Sequence, residues 1–375
     1  MVAVHPSSVN RHAADYRDEE LERLADTAGA KVVAHCSQFV KSINPATYIG
    51  SGKLQEVNDL VASEDIDVVL FNQDLSPVQQ RNIEKKLDRR IVDRTELILD
   101  IFAQHAQSRD GKIQVELAQL RYLRPRLTGR GVDLSRLGGG IGTRGPGETK
   151  LEVDRRRIDQ RISRLGKEWE KVRDARRLQR KSRQREGLPT IVLVGYTNAG
   201  KSTLLNRMTS AEVLAKNQLF STVDTTTRRM RLPDGRRALI SDTVGFISDL
   251  PEPLLAAFRA TLEVVEEADL LLHVADASSP FLEDQLHAVN EVLGGLGCGM
   301  KPSMTVFNKI DLVDDPLELF EIEQKVGPSV RCSALKNDDM LELQTAIARL
   351  SLNLEPAPTP SNDDPPDFLN ELLNS

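Results

Sequence analysis

Apolar and polar positions alternate between two rhythms along the first hundred residues. Short aliphatic runs, KVVAHCSQ (31–38), DVVLFNQ (67–73) and RRIVD (89–93), are separated by stretches of helical periodicity at about 53–62, about 77–87 and from Glu96 onward. Extended runs separated by helix-length segments predict parallel strands joined by crossovers. They place a small α/β domain over about 20–95, within an N-terminal region 1–95. From Glu96 to Leu127, Leu97, Ile101, Val115, Leu117, Leu120 and Leu123 recur at helix-like intervals until Pro125 and Gly129 intervene. The stretch GRGVDLSRLGGGIGTRGPGETK follows, and Gly138, Gly139, Gly140, Gly142, Gly145 and Gly147 within it disfavour regular structure. A polar helical pattern then resumes from Glu148 to about Glu186. The pattern predicts a helical hairpin over 96–187 with a glycine-rich tip. Beyond Gly187 and Pro189 a further α/β pattern covers 188–352, and the proline-rich, acidic stretch 353–375 is expected to be largely disordered.

Charge sharpens this division. The formal net charge is −6, yet residues 155–186 hold fourteen Lys and Arg against five Asp and Glu, while 351–375 holds acids and no Lys or Arg. A basic arm inside an acidic protein points to an anionic partner at the hairpin. At its tip Arg130, Arg136, Arg144 and Lys150 stand among glycines that allow close backbone approach to a phosphate, which makes them candidate RNA contacts; a solvent-exposed charged linker is the plainer alternative. No run of about 18 apolar residues is present, and the first twenty residues carry charges where a secretory signal needs an apolar stretch, so no membrane span and a cytoplasmic location are expected. Cys36, Cys298 and Cys332 have no metal-ligand spacing and read as small buried hydrophobes. GSGK at 50–53 lacks the glycine a phosphate loop requires, since Thr47 stands five positions before Gly52, and reads as a helix-start turn.

The chemistry concentrates after residue 190. TIVLVGYTNAGKSTLLNRM is an apolar run, a loop and a helix start, in which Gly195, Gly200, Lys201 and Ser202 match G-x-x-x-x-G-K-[ST]. A chance match in a chain this long has odds of roughly 1 in 100. Backbone N–H groups from Gly195 through Tyr196, Thr197, Asn198, Ala199 and Gly200 to Thr203 would wrap the phosphates, Lys201 would neutralise them, and the Ser202 hydroxyl would bind Mg²⁺. In ALISDTVGF the run Asp242, Thr243, Val244, Gly245 has the form D-x-x-G at a strand end; Asp242 would hold Mg²⁺ through water and the Gly245 amide would meet the γ-phosphate. In MTVFNKIDLV, Asn308, Lys309 and Asp311 select the base. Guanine's N1–H and 2-amino group are adjacent donors that one carboxylate accepts together, and adenine has no such edge. Asp311 would make that pair, Lys309 would lie along the base and Asn308 would tie the segment to the phosphate loop. Ser333, Ala334 and Leu335 would meet the guanine carbonyl. Between the first two motifs, Phe220, Ser221, Thr222, Val223 and Asp224 form the loop that must sense the γ-phosphate. Thr222 is the chosen Mg²⁺ hydroxyl, with Thr225, Thr226 and Thr227 as competitors that a threonine-rich strand would also explain.

These segments together with YIGSGKLQEV, the run from Asp74 to Glu84, RLGGGIGTRGPGETKLE and FSTVD resemble the HflX-type ribosome-associated GTPases, close to the Obg and Era branches of the translation-factor class. The resemblance covers nearly the whole chain. It implies a P-loop GTPase domain, a mostly parallel sheet with helices on both faces, preceded by a small α/β domain and a long helical hairpin. It also implies binding of GTP or GDP and of the large ribosomal subunit, with separation of stalled or idle ribosomes, and it supports Thr222 as the switch ligand. Some members carry a further small domain after the GTPase fold, whereas the stretch that follows 352 here is proline-rich and acidic, so functions of that domain are not among those the resemblance implies. A signalling switch acting on protein effectors, or an NTP-dependent RNA remodeller, is the alternative function; a monomer is expected. Phe246 follows the D-x-x-G, where many GTPases place a glutamine that orients the attacking water, so hydrolysis is expected to be slow without the ribosome. No residue is a certain catalyst: Asn198, Lys201, Thr222 and Gly245 would assist the transition state, and Asn198 occupies the position at which related potassium-stimulated GTPases present an asparagine to K⁺.

Overall fold

The structure is a computed structural model that describes residues 1–127, 150–184, 187–209, 219–220, 224–248 and 263–352; among these, side chains are not described at 150–151, 176–184 and 352. Arg130, Arg136, Arg144, Ser221, Thr222, Val223 and the tail lie outside the described residues, as does the side chain of Lys150.

The chain begins with β1 (Val2–Pro6) and α1 (Arg11–Thr27), continues through β2 (Cys36–Val40), α2 (Ser51–Ser63), β3 (Val68–Leu70), α3 (Pro77–Leu87) and β4 (Arg90–Val92), and reaches α4 (Arg94–His105). β1 and β2 pair in parallel, as do β3 and β4, and a parallel bridge from Val2 to Phe71 joins the two pairs. Leu54, Val57 and Val61 of α2 and Ile83 and Leu87 of α3 pack on one face, with Val2, Val4, Val69 and Ile91. α1 and α4 cover the other face through Leu21, Leu24, Ile98, Ile101 and Phe102. The run at Asp74 to Glu84 has a structural task. Asp74 accepts from the Thr95 hydroxyl at 2.6 Å, and Ser76 with Gln79 closes a capping box on α3, which satisfies two otherwise orphaned donors. At 50–53 the chain makes a helix start, with Gly50 as the N-cap of α2.

The helical pattern expected over 96–127 breaks at Ala106, and α5 (Arg109–Leu123) begins anew with Ser108 as its N-cap. α5 packs against the long α6 (Lys150–Gln184) through Ile113, Leu117 and Leu165, with Ile162 and Trp169 alongside. Arg161 clasps Glu116 with two bonds of 2.6 and 2.8 Å, and Arg124 clasps Asp159. Arg126, stacked 3.6 Å over the Tyr122 ring, donates to Asp93 and to the Leu75 carbonyl, which ties the foot of this hairpin to the first sheet.

The second sheet has six strands: β5 (Thr190–Gly195), β6 (Thr226–Arg231), β7 (Arg237–Asp242), β8 (Leu270–Asp276), β9 (Ser303–Asn308) and β10 (Ser329–Arg331), in the order β10-β9-β8-β5-β7-β6. All pairings are parallel except β6 with β7. α7 (Lys201–Thr209) follows β5, α8 (Leu282–Gly295) follows β8, α9 (Pro316–Glu323) follows β9, and α10 (Asn337–Leu352) closes the described chain. Thr226 and Thr227 lie in β6, at its start. Ile191, Leu193, Leu204, Leu272, Val306, Leu343 and Ile347 form the core on one face of the sheet.

The opposite face does not end at the domain boundary. Val192, Val194, Leu271 and Val289 belong to the same apolar cluster as Leu21, Leu24, Ile98 and Phe102, with Phe220 and Phe246 between them. At roughly 25 cal/mol per Å² of apolar surface buried, such a shared core resists separation of the two sheets. Among the described residues no helix is long and apolar enough to cross a membrane. Cys36, Cys298 and Cys332 are all buried free thiols.

Candidate nucleotide site

Ligands in parallel sheets gather outside the carboxyl ends of the strands, where the chain switches direction. The motif residues converge there. β5 ends on Gly195, the loop runs to Gly200, and α7 begins at Lys201, which presents its unsatisfied first-turn N–H groups to the loop. Gly195 holds a φ of 149°, and a side chain there would meet the Val274 carbonyl oxygen at 2.1 Å. Lys201 is 6 % exposed, and its Nζ donates to the Gly195 carbonyl at 2.9 Å and the Tyr196 carbonyl at 2.8 Å. Burial lowers its pKa to about 8, against the opposing pull of Asp242. Ser202 Oγ donates to Asp242 Oδ2 at 2.6 Å, so the hydroxyl and the carboxylate that the sequence assigns to one metal stand side by side. Thr203 is half-buried. Asn198 takes a left-handed φ of 62° and is exposed at the loop's crest.

The D-x-x-G segment lies against this loop. Thr197 N–H donates to the Phe246 carbonyl at 2.7 Å and Phe246 N–H to the Gly195 carbonyl at 3.0 Å, a parallel bridge between Tyr196 and Phe246. A Cβ on Gly245 would sit 2.8 Å from Thr197 Cα and 3.1 Å from Lys201 Nζ. The Thr243 hydroxyl donates to the Leu193 carbonyl, and Val244 is buried. Phe246 is 2 % exposed inside the shared core, so its ring serves packing.

The segment expected to select the base follows from β9. Asn308 is buried; its Nδ2 donates to the Ala199 carbonyl at 2.8 Å and its Oδ1 accepts from Ala334 N–H at 3.0 Å, so one amide joins three motifs. A side chain on Gly200, whose φ is 98°, would meet that Nδ2 at 2.2 Å. Lys309 has a left-handed φ of 63° and its Nζ donates to Asp276 Oδ2 at 2.6 Å. Asp276 ends β8 directly beside Asn308, and was missed; its signal was a carboxylate closing the apolar run LLLHVAD. Asp311 is held below its usual carboxylate range, chiefly by a hydrogen bond from Ser333. Ser333 and Ala334 are buried, Leu335 is exposed, and Arg207 of α7 steadies their loop by donating to the Leu335 carbonyl and to Asn337.

The pattern of the family described as "GTP-binding GTPase N-terminal" matches residues 15–103, that of "GTP-binding GTPase Middle Region" residues 105–183, and that of "50S ribosome-binding GTPase" residues 190–309. GTPase HflX of Caldanaerobacter subterraneus is 52% identical over 295 residues, which cover 79% of this chain and 69% of that protein. GTPase HflX of Magnetococcus marinus is 47% identical over 92% of this chain and 81% of its own. The chain belongs to the HflX family of GTPases. Like its relatives it binds and hydrolyses GTP. A solved structure of SsGBP in complex with GDP has a TM-score of 0.51 and 28% identity, and covers 94% of this chain and 98% of that one.

Beside the motifs, this HflX chain brings its N-terminal domain onto the nucleotide elements. Arg94 donates to Glu20 at 2.5 Å and to the Ser248 carbonyl at 2.9 Å, and the ion pair is nearly closed to solvent. The Tyr196 hydroxyl bonds Glu20 and accepts from Ser248 N–H at 2.7 Å. Burial, then the Glu20 charge, drives the Tyr196 pKa far up, so the phenol stays protonated. The Tyr196 ring thus faces the first domain, and only its backbone belongs to the phosphate loop. Asp224, grouped with the phosphate residues on sequence grounds, turns its carboxylate to the start of α5. Glu20, Arg94 and Ser248 were missed because they belong to no motif and meet only in three dimensions.

Proposed function

We propose that this GTPase binds the large ribosomal subunit through its helical hairpin and uses the GTP state to separate stalled or idle ribosomes into subunits. The supporting observation is the hairpin itself. On α6, Arg155, Arg156, Arg157, Arg164, Lys167, Lys171 and Arg173 are all exposed along an arm whose partner, α5, is rooted against the nucleotide elements. Such an arm suits a phosphate backbone, where affinity falls steeply with salt. The glycine-rich tip, with Arg130, Arg136, Arg144 and Lys150, is the part directed to ribosomal RNA. The family description naming 50S ribosome binding supports the same partner.

In this reading the N–H groups from Gly195 to Ser202 cradle the phosphates, and Lys201 exchanges its two loop carbonyls for phosphate oxygens. Asn308 holds the base pocket against the phosphate loop while Asp311 accepts both guanine donors. The oxygen donors Ser202 and Asp242, already adjacent, suit Mg²⁺, which prefers hard oxygens and keeps several waters. When bound there it would neutralise charge on the phosphates. Thr222 supplies the second hydroxyl, Gly245 the amide to the γ-phosphate, and Asn198 a carbonyl for K⁺. The side chain that follows Gly245, the buried Phe246, has no hydrogen-bonding group to orient the attacking water, so full activity awaits the ribosome.

Co-sedimentation with separated subunits in GDP and in a non-hydrolysable GTP analogue tests the reading. Stronger large-subunit binding with the analogue, weakened by salt, is expected; indifference to nucleotide overturns it. Equal hydrolysis rates in K⁺ and Na⁺ buffers would remove K⁺ from the account.

A further inference from the structure

Asp224 closes the segment expected to sense the γ-phosphate, yet its carboxylate is held by a helix of the hairpin. Its Oδ2 accepts from the N–H groups of Gln107 at 2.9 Å and Ser108 at 2.7 Å, and its Oδ1 accepts from the Ser108 hydroxyl at 2.5 Å. Ser108 Oγ also accepts from Gly111 N–H at 2.9 Å as the N-cap of α5. One hydroxyl therefore caps the helix with a lone pair and holds Asp224 with its proton. The negative charge also sits at the positive end of the α5 dipole.

Gly111 gives an independent sign that this contact is built in. Glycine inside a helix costs about 1 kcal/mol relative to alanine. Its backbone here is ordinary and needs no glycine, but a Cβ would stand 2.2 Å from Asp224 Oδ1. The residue is small because the carboxylate of another domain occupies the space. On the other side of Asp224, β6 begins with Thr226 paired to Asp242, the carboxylate assigned to the metal. Thr222 lies two residues before Asp224, within roughly 7 Å of extended chain. Fixing Asp224 thus limits where Thr222 can reach.

We propose that the first turn of α5 is the docking point of the switch segment, and that Ser108 and Gly111 are positioning residues for GTP hydrolysis: by holding Asp224 they place Thr222. This rests on the reading of Thr222 as the switch hydroxyl. Because α5 is also the first arm of the hairpin, a partner that moves the hairpin shifts the switch, and by linkage the switch shifts the hairpin.

The test is steady-state GTP hydrolysis by the full chain, with GDP affinity and thermal unfolding measured beside it. Ser108→Ala, which removes the hydroxyl, and Gly111→Ala, which displaces the carboxylate, should each lower kcat about tenfold, the rate equivalent of one charge-assisted hydrogen bond. GDP affinity should stay within about twofold, since neither residue touches the guanine or phosphate-loop elements, and Ser108→Thr should restore kcat. Ser108→Ala should add nothing to Asp224→Ala, because both remove one contact. A lowered melting temperature with unchanged kcat, or additive losses in the double variant, overturns the proposal. If Thr222→Ala leaves kcat unchanged, the switch reading itself is lost and this proposal with it. If Thr222→Ala lowers kcat while Ser108→Ala and Gly111→Ala do not, only the docking proposal falls.

Discussion

Lys201 offers a proton-linkage test of the phosphate site. Without nucleotide, its buried ammonium faces carbonyls and one carboxylate, and burial sets its pKa at about 8. The unfolded chain holds that proton up to the ordinary lysine value near 10.4. Between these pH values the unfolded state binds more protons than the folded state, so the apo protein gains stability as pH rises from about 8 toward about 10.4. Nucleotide binding runs the other way. Phosphate oxygens beside Nζ favour the charged form, so binding takes up a proton wherever the apo lysine has lost it. Uptake should be about half a proton at pH 8, and GDP affinity should weaken about fourfold between pH 7 and pH 8.5, the factor that an apo pKa near 8 produces. Isothermal titration in two buffers of different ionisation heat measures the uptake directly. Lys201→Met should abolish the uptake along with most of the affinity. A flat affinity with no proton uptake in this window would refute the placement of Lys201 on the phosphates.

Three further outcomes follow from particular contacts. Asn308→Ala strands the Ala199 carbonyl and the Ala334 N–H, at about 1–3 kcal/mol each, so GDP and GTP binding should both weaken at least about tenfold in equilibrium titration. Gly195→Ala drives a methyl group onto the Val274 carbonyl oxygen and should remove nucleotide binding with a fall in melting temperature; an unchanged melting temperature would contradict the packing. Arg94→Ala leaves Glu20 buried without its cation, a class of change that costs about 3–5 kcal/mol, read by urea unfolding, and it should also loosen the Ser248 segment, read by hydrogen exchange there.

The nucleotide elements could be read from sequence because each is local: an apolar strand, a short loop whose glycines admit close backbone approach, and a polar residue at a fixed offset. Gly195, Lys201, Asp242 and Asn308 meet because parallel strands all present their carboxyl ends to one edge. β1 and α1 escaped the same reading. β1 is only five residues long and sits at the chain's start, and α1 buries just Ala14, Leu21, Leu24 and Ala25 among its apolar side chains, too sparse a stripe to declare itself within RHAADYRDEELERLADT. The break between α4 and α5 was missed for a different reason. No glycine or proline stands between the two helices, and the residue that starts the second, the N-cap Ser108, owes part of its environment to Asp224, which is 116 positions away in the chain.

Those missed residues alter how the site can work. A motif says which atoms bind nucleotide, but nothing in it says what feels the difference between GDP and GTP. Here Tyr196 of the phosphate loop, Ser248 beyond the D-x-x-G and Asp224 before β6 each bond to the N-terminal domain or the hairpin. Two of the contacts involve charge within a nearly closed interface, where a half-broken pair is costly. Such an interface shifts between discrete arrangements more readily than it deforms. Movement of the Asp242–Ser248 segment on hydrolysis must therefore either carry Arg94 and Glu20 with it or break their bonds to Ser248 and Tyr196. Either outcome would couple that segment to α4, which carries Arg94, and to α1, which carries Glu20. On the proposed function, a ribosome gripping the hairpin would act on the same residues from the other end, which would make the buried Phe246 and the long basic arm parts of one mechanism.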